Sequence, residues 1–238
     1  MRTPGIRRVL LAAVCAIGAI APLAGGQTTW LVSNDPSENP DFTHPRQALL
    51  SPLVVSGDTL VVSAGLGPYL VDSWVDETLD FGTRELVLRN QTGETPIIRD
   101  ISVGPSLNNR YLLVISGGQT SLTRLEGIRF EVVNEVDNTI VIGFSSPTIA
   151  DCQFVGASSR DAVVRVFHAA STPRFERCAF IDTVFEEGGI VRAAGGHIDL
   201  IACRFERNTT ASSCVAVLDG TATIEACEFR DNFALDGW

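Results

Sequence analysis

The sequence predicts an all-β chain wound into a single-stranded, right-handed parallel β-helix, a solenoid of roughly seven coils with a short N-terminal capping helix. Three observations carry this prediction. A hydrophobic motif recurs about every 25 residues, it places Cys and Phe on one strand face, and opposite charges fall in register between its copies.

The motif is apolar-x-x-Cys-x-Phe. It occurs as Ile149-Ala-Asp-Cys152-Gln-Phe154, Phe175-Glu-Arg-Cys178-Ala-Phe180, Leu200-Ile-Ala-Cys203-Arg-Phe205 and Ile224-Glu-Ala-Cys227-Glu-Phe229. With Ile at the pivot it extends to Leu125-Glu-Gly-Ile128-Arg-Phe130 and Ile98-Arg-Asp-Ile101-Ser-Val103. The pivots 101, 128, 152, 178, 203 and 227 are spaced by 27, 24, 26, 25 and 24 residues. Residues two apart on a strand share a face, so Cys and Phe point inward together. The apolar residue three before Cys has the wrong parity for that face, and a corner must intervene. A second apolar strand precedes each late pivot, at residues 164–167, 189–191 and 214–218. Short strands, sharp corners and this period describe one coil, with like side chains stacking on like about 4.8 Å apart.

Outward positions agree with that register. Arg204 falls over Glu228, Glu206 over Arg230, and Arg207 between Asp182 and Asp231. Each exposed pair contributes about 0–1 kcal/mol, so the columns speak for register more than for stability.

The N-terminal part divides into three stretches. Residues 1–26 read as a signal peptide: Arg2, Arg7 and Arg8 precede an apolar run at residues 9–20, and Ala24, Gly25 and Gly26 offer a cleavage site. The run is too short to span a bilayer, and no second one approaches that length. Residues 27–60 form an N-terminal segment with a capping helix at 45–54, Pro45 near its start, which covers the open sheet end. Residues 61–238 form the solenoid, with early strands at 60–63 and 69–75. Asp236-Gly237-Trp238 stands where another coil would begin, so the chain reads as cut short, its last coil open to further coils or another chain.

Composition narrows the chemistry. All eighteen basic residues are Arg, which excludes Schiff-base lysines and a P-loop lysine. Without residues 1–26 the formal charge is 15 − 28 = −13. Nucleic-acid backbones are repelled by such a surface. The five cysteines after Cys15 are odd in number. Cys152, Cys178, Cys203 and Cys227 read as small buried hydrophobes, a disulfide in the ladder being the alternative; Cys214 lies off it.

Several stretches resemble a known family. Trp30-Leu-Val, Asp41-Phe42, Gln47-Ala48-Leu49, Gly57-Asp58-Thr59-Leu60-Val61-Val62 and Gly65 to Tyr69 resemble the N-terminal segment of pectin-lyase-like right-handed β-helix proteins. Phe205-Glu-Arg-Asn208, Phe229-Arg-Asp-Asn232 and Gly188-Gly189-Ile190 look like degenerate repeats of polymorphic outer-membrane proteins. The resemblance implies the fold; the fold itself carries lyases, hydrolases, adhesins and spacers alike.

The family's catalytic patterns are missing. No G-H-G or R-I-K occurs, and Asp182, Asp199 and Asp231 are spread over three coils. Glu176 and Glu225 share a column, with Ile201 between them. His197 and Asp199, at i and i+2, can share a strand face, but no Ser or Cys nucleophile is visibly partnered with them. His197 is expected in an exposed turn, and His168 is expected as a packed or edge histidine on a strand. Asn90 and Asn208 open glycosylation sequons. No catalytic, cofactor or metal residue is assigned. Two readings result: an exported or cell-surface scaffold or binding module, with polysaccharide or a cell-envelope component as partner, or a polysaccharide lyase or glycoside hydrolase.

Overall fold

The computed structural model describes residues 27–73, 78–102, 110–133, 135–156, 158–185, 189–211 and 213–235. The expectations for the signal peptide, Trp74, Val75, Val103, Gly188 and the last three residues fall outside these. The chain winds as a parallel β-solenoid of three sheets, with eight, seven and nine strands, every pairing parallel. One coil therefore carries three strands where the sequence required at least two.

The pivots mark the first corner. In one coil, Thr148–Ala150 lies in the first sheet, Gln153–Val155 in the second and Ser158–Phe167 in the third. Asp151 joins the first two with φ 54°, and Arg177, Ala202 and Ala226 occupy the same left-handed corner in later coils at 52°, 51° and 53°. Left-handed backbone costs a non-glycine residue about 1–2 kcal/mol. The coil that follows compensates: Asp151, Arg177 and Ala202 N–H groups donate to the carbonyls of Glu176, Ile201 and Glu225 at 2.9, 2.9 and 2.8 Å.

Beyond the corner the inner columns form as the motif requires. Phe130, Phe154, Phe180, Phe205 and Phe229 stack with centroids 5.4, 5.0, 4.8 and 4.8 Å apart. Cys152, Cys178 and Cys203 are buried and Cys227 is half-buried; all are free thiols. The thiols of Cys178, Cys203 and Cys227 donate to the carbonyls of Ile149, Phe175 and Leu200, one coil earlier, at 3.3, 3.5 and 3.3 Å. Cys214, off the ladder, packs half-buried against the core.

The earliest pivot needs correction. Ile98, not Val103, lies over Phe130 in the aromatic column. Arg129 N–H donates to the Pro96 carbonyl just as Gln153 N–H donates to that of Ile128, so Pro96 holds the pivot place. Ile101 is exposed. A turn closed by Glu94 N–H to the Gln91 carbonyl lengthens this coil between its first two strands and displaces the count.

The N-terminal end is closed. Thr29–Val32 stacks on Thr59–Val62, so the first sheet begins inside the N-terminal segment. The helix is Pro45–Leu50, shorter than the expected 45–54. Ser51, ahead of Pro52, is extended at φ −70° and ψ 130°, which a following proline favours and a helix cannot continue. The Arg84 guanidinium takes up the freed carbonyls of Leu49 and Val54. The strand Thr59–Val62 lies one residue earlier than the expected 60–63, and Tyr69–Val71 falls within the expected 69–75. Among the described residues no helix is long and apolar enough to cross a membrane.

Outward, the predicted register holds: Arg204 neighbours Glu228, and Glu206 neighbours Arg230. The ion pairs nevertheless run mainly along strands. Arg204 meets Glu206 at 3.2 Å, and Arg124 and Arg129 meet Glu126 and Glu131 at 2.6 Å. At the corner, Arg207 reaches Asp182 at 2.8 Å.

Candidate functional site

A shallow cleft of about 500 Å³ runs along the solenoid axis where the third sheet turns into the first. It crosses four coils, from Gly118 through Phe144 and Thr172 to Asp199. A second cleft, about 490 Å³, lies beside the capping helix between Phe42, His44, Leu50 and Leu70. The axial cleft is the stronger candidate, because side chains of successive coils line it in columns.

Its floor follows from the register. Thr148, Arg174, Asp199 and Thr223 stack at one outward position of the first sheet. Ser146, Thr172, His197 and Thr221 each stand six residues before a ladder cysteine and form a polar column beside it. Thr172 Oγ1 donates to Ser146 Oγ at 2.7 Å. His197 Nδ1 lies 2.7 Å from Thr221 Oγ1, and its Nε2 lies 2.9 Å from Asp199 Oδ1 and 3.2 Å from Thr223 Oγ1.

One lip is aromatic. Phe144 is 53% exposed at φ 55°, and His168 follows one coil later at φ 88°, ring centroids 3.6 Å apart. The same corner is left-handed in the following coils, at Gly195 (φ 100°) and Asp219 (φ 54°), so this backbone belongs to the turn of the solenoid and carries whatever side chain the coil supplies outward. Glycine makes the arrangement possible: a Cβ on Gly143 would lie 2.2 Å from Cζ of Phe167, whose ring meets Phe144 edge-on at 6.4 Å. The other lip is held by buried Gln119. Its Oε1 accepts from Gly117 N–H and Ser145 Oγ, both at 2.7 Å, and its Nε2 donates to the Gly82 carbonyl.

The structure brings together some residues singled out in the sequence and separates others. His197 and Asp199 share a face as expected, but His197 opens the strand His197–Ile201 rather than sitting in a turn. His168 lies one residue beyond its strand, exposed at a corner, because the left-handed backbone swings it out beside Phe144. Glu176, Ile201 and Glu225 do stack in one column. Sequence reasoning missed Phe144 and the Ser146–Thr172–His197–Thr221 column. The second was discoverable by applying the cysteine period six residues upstream.

The cleft offers hydroxyl, guanidinium and carboxylate groups to a ligand. Thr221, His197 and Asp199 touch in the order of a nucleophile, base and orienting acid. The nearby backbone N–H groups are already committed to coil stacking, Thr221 to the Gly196 carbonyl and His197 to that of Ser171, so neither is available as an oxyanion donor. Asp199 is the one carboxylate among the residues lining the cleft, whereas glycoside hydrolysis uses two facing carboxyl groups. Among the described residues, no group of three His, Cys, Asp or Glu could hold a metal ion.

Neither sequon asparagine offers a free amide. Asn208 is fully buried, and its Nδ2 donates to the Phe180 carbonyl and to Asn232 Oδ1. Asn90 Nδ2 donates to the Glu94 carbonyl at 2.7 Å.

The fold places this chain among parallel β-solenoids. No family model, no curated protein and no solved structure matches it.

Proposed function

We propose that the chain is an exported or cell-surface β-helix that serves as a scaffold and binding module for polysaccharide. The observation that carries this reading is the axial cleft, where the exposed ring of Phe144 stands beside hydroxyl groups of successive coils, Ser146, Thr148 and Thr172, and the carboxylate of Asp199. Aromatic faces with a few convergent polar groups suit ligands that are apolar on one side and hydroxylated at the edge. The likeness of the N-terminal segment to pectin-lyase-like proteins and the leader-like residues 1–26 support the same reading. A parallel ladder gives such a module a regular, stiff backbone.

The second reading, a polysaccharide lyase or hydrolase, is favoured by the Thr221–His197–Asp199 contacts. One experiment separates the two. Affinity electrophoresis of the full chain through gels containing plant and microbial polysaccharides is run beside an assay for unsaturated uronides and new reducing ends. Retardation without product release is the expected outcome; product release lost in His197→Ala establishes the enzyme instead.

A further inference from the structure

We infer that the axial cleft selects a neutral glycan, lying along the solenoid axis with a sugar face stacked on Phe144 and His168. The inference rests on the polysaccharide-binding reading above and adds the charge class of the ligand.

An acidic sugar chain needs free cations. The arginines on this side of the first sheet are already engaged: Arg174 Nε bonds Glu176, and Arg124 Nε bonds Glu126 at 2.6 Å. Each of these arginines keeps its Nη donors but sits beside a carboxylate that offsets its charge, so neither presents a net cation to a uronate or sulfate. Asp199 meanwhile presents a carboxylate to the cleft, and beyond residue 26 the chain carries a formal charge of 15 − 28 = −13. Carboxylates accept hydrogen bonds from sugar hydroxyls and repel anionic ones.

The spacing fits a chain rather than a single sugar. Neighbouring coils are separated by about 4.8 Å, the strand spacing of any sheet. An extended pyranose chain advances by a similar step per ring. Ser146 and Thr172 supply one polar group per coil in the cleft, His197 and Thr221 continue their column beyond it, and Phe144 supplies the apolar surface for a ring's C–H face. Phe144 and His168 occupy the same left-handed corner in successive coils, both exposed, with ring centroids 3.6 Å apart.

The test is affinity electrophoresis of the full chain in gels of neutral polymers (mixed-linkage β-glucan, arabinoxylan, galactomannan) and of acidic ones (polygalacturonate, alginate). At least one neutral polymer should retard the protein, and the acidic ones should not. Phe144→Gly removes the ring and relieves the backbone, so it should fold with an unchanged or raised unfolding midpoint and lose at least ten-fold in affinity. Phe144→Trp should retain binding. Retardation by acidic polymers alone overturns the neutral-glycan inference and leaves polysaccharide binding standing. Retardation by none overturns both, and unchanged affinity in Phe144→Gly removes the aromatic platform.

Discussion

Asn208 Nδ2 donates to Asn232 Oδ1 across 2.9 Å, tying two successive coils together at the corner between the second and third sheets. Asn208 Oδ1 also accepts from Thr183 N–H at 3.0 Å and Thr183 Oγ1 at 2.7 Å, while Asn232 Nδ2 donates to the Phe205 carbonyl at 2.9 Å. One buried amide therefore spans three coils.

Asn208→Ala leaves the Thr183 N–H and the Thr183 hydroxyl without their shared acceptor inside the corner. Each buried unpaired group costs about 1–3 kcal/mol, so the loss should be about 2–6 kcal/mol. Urea titration followed by circular dichroism reads this directly. A shift below half a kilocalorie per mole contradicts the corner's role.

The aromatic stack should weaken unevenly. Phe180 is fully buried between Phe154 and Phe205, and truncating a buried Phe costs about 3–5 kcal/mol. Phe229 is 48% exposed, so Phe229→Ala should lose well under half as much. Equal losses at the two sites would mean that the stack is not continuous.

Acid should loosen the second sheet. Burial pushes the Glu131 carboxyl up, but hydrogen bonds and charges from Arg99 and Arg129 outweigh it and hold its pKa below the ordinary 4.5. A depressed carboxylate pKa stabilises the fold above the unfolded value, and that contribution is lost as pH falls below about 4.5 through the folded value. Glu131→Gln should be less stable at pH 7 and show a flatter decline below pH 4.5. Parallel acid profiles of the two proteins would contradict this.

Thiol reactivity should divide the cysteines by access. Burial raises the Cys152 thiol to about 12 and Cys214 to about 11. Cys203 is drawn down to about 7 by the neighbouring Cys178 thiol, against burial, yet it is only 1% exposed. Access then decides. In the native protein Cys227 and Cys214 should react with an aromatic disulfide reagent, and Cys152, Cys178 and Cys203 only after denaturation. Peptide mapping of the labelled sites checks it; rapid native labelling of Cys152 would contradict an intact ladder.

The stacked columns were legible because a coil returns each inward position to one face, so Cys178 and Phe180 repeat whatever the corners hold. Ile101 was misplaced because the turn at residues 91–94 lengthens its coil without changing the apolar character that follows. The corners were hidden by their composition. Arg177, Ala202 and Arg207 adopt positive φ without being glycine, held there by bonds to another coil that no local pattern records. Phe144 shares its corner with His168, Gly195 and Asp219, residues with no common type, so only the three-dimensional turn shows that it faces outward. His197 and Asp199 were visible as a pair; their partners Thr221 and Thr223 became visible only with the register.

The direction of the corner hydrogen bonds has a consequence for assembly. Strand N–H groups run both ways, that of Gln153 back to Ile128 and that of Val164 forward to Ile190, whereas the corner N–H groups of Asp151, Arg177 and Ala202 all reach forward to residues made about 25 positions later. A turn of the ribbon can therefore be templated by its predecessor but is locked only by its successor. A chain delivered N-terminus first would carry one unlocked turn at its growing front, moving along like the slider of a zip, while everything behind it stayed closed.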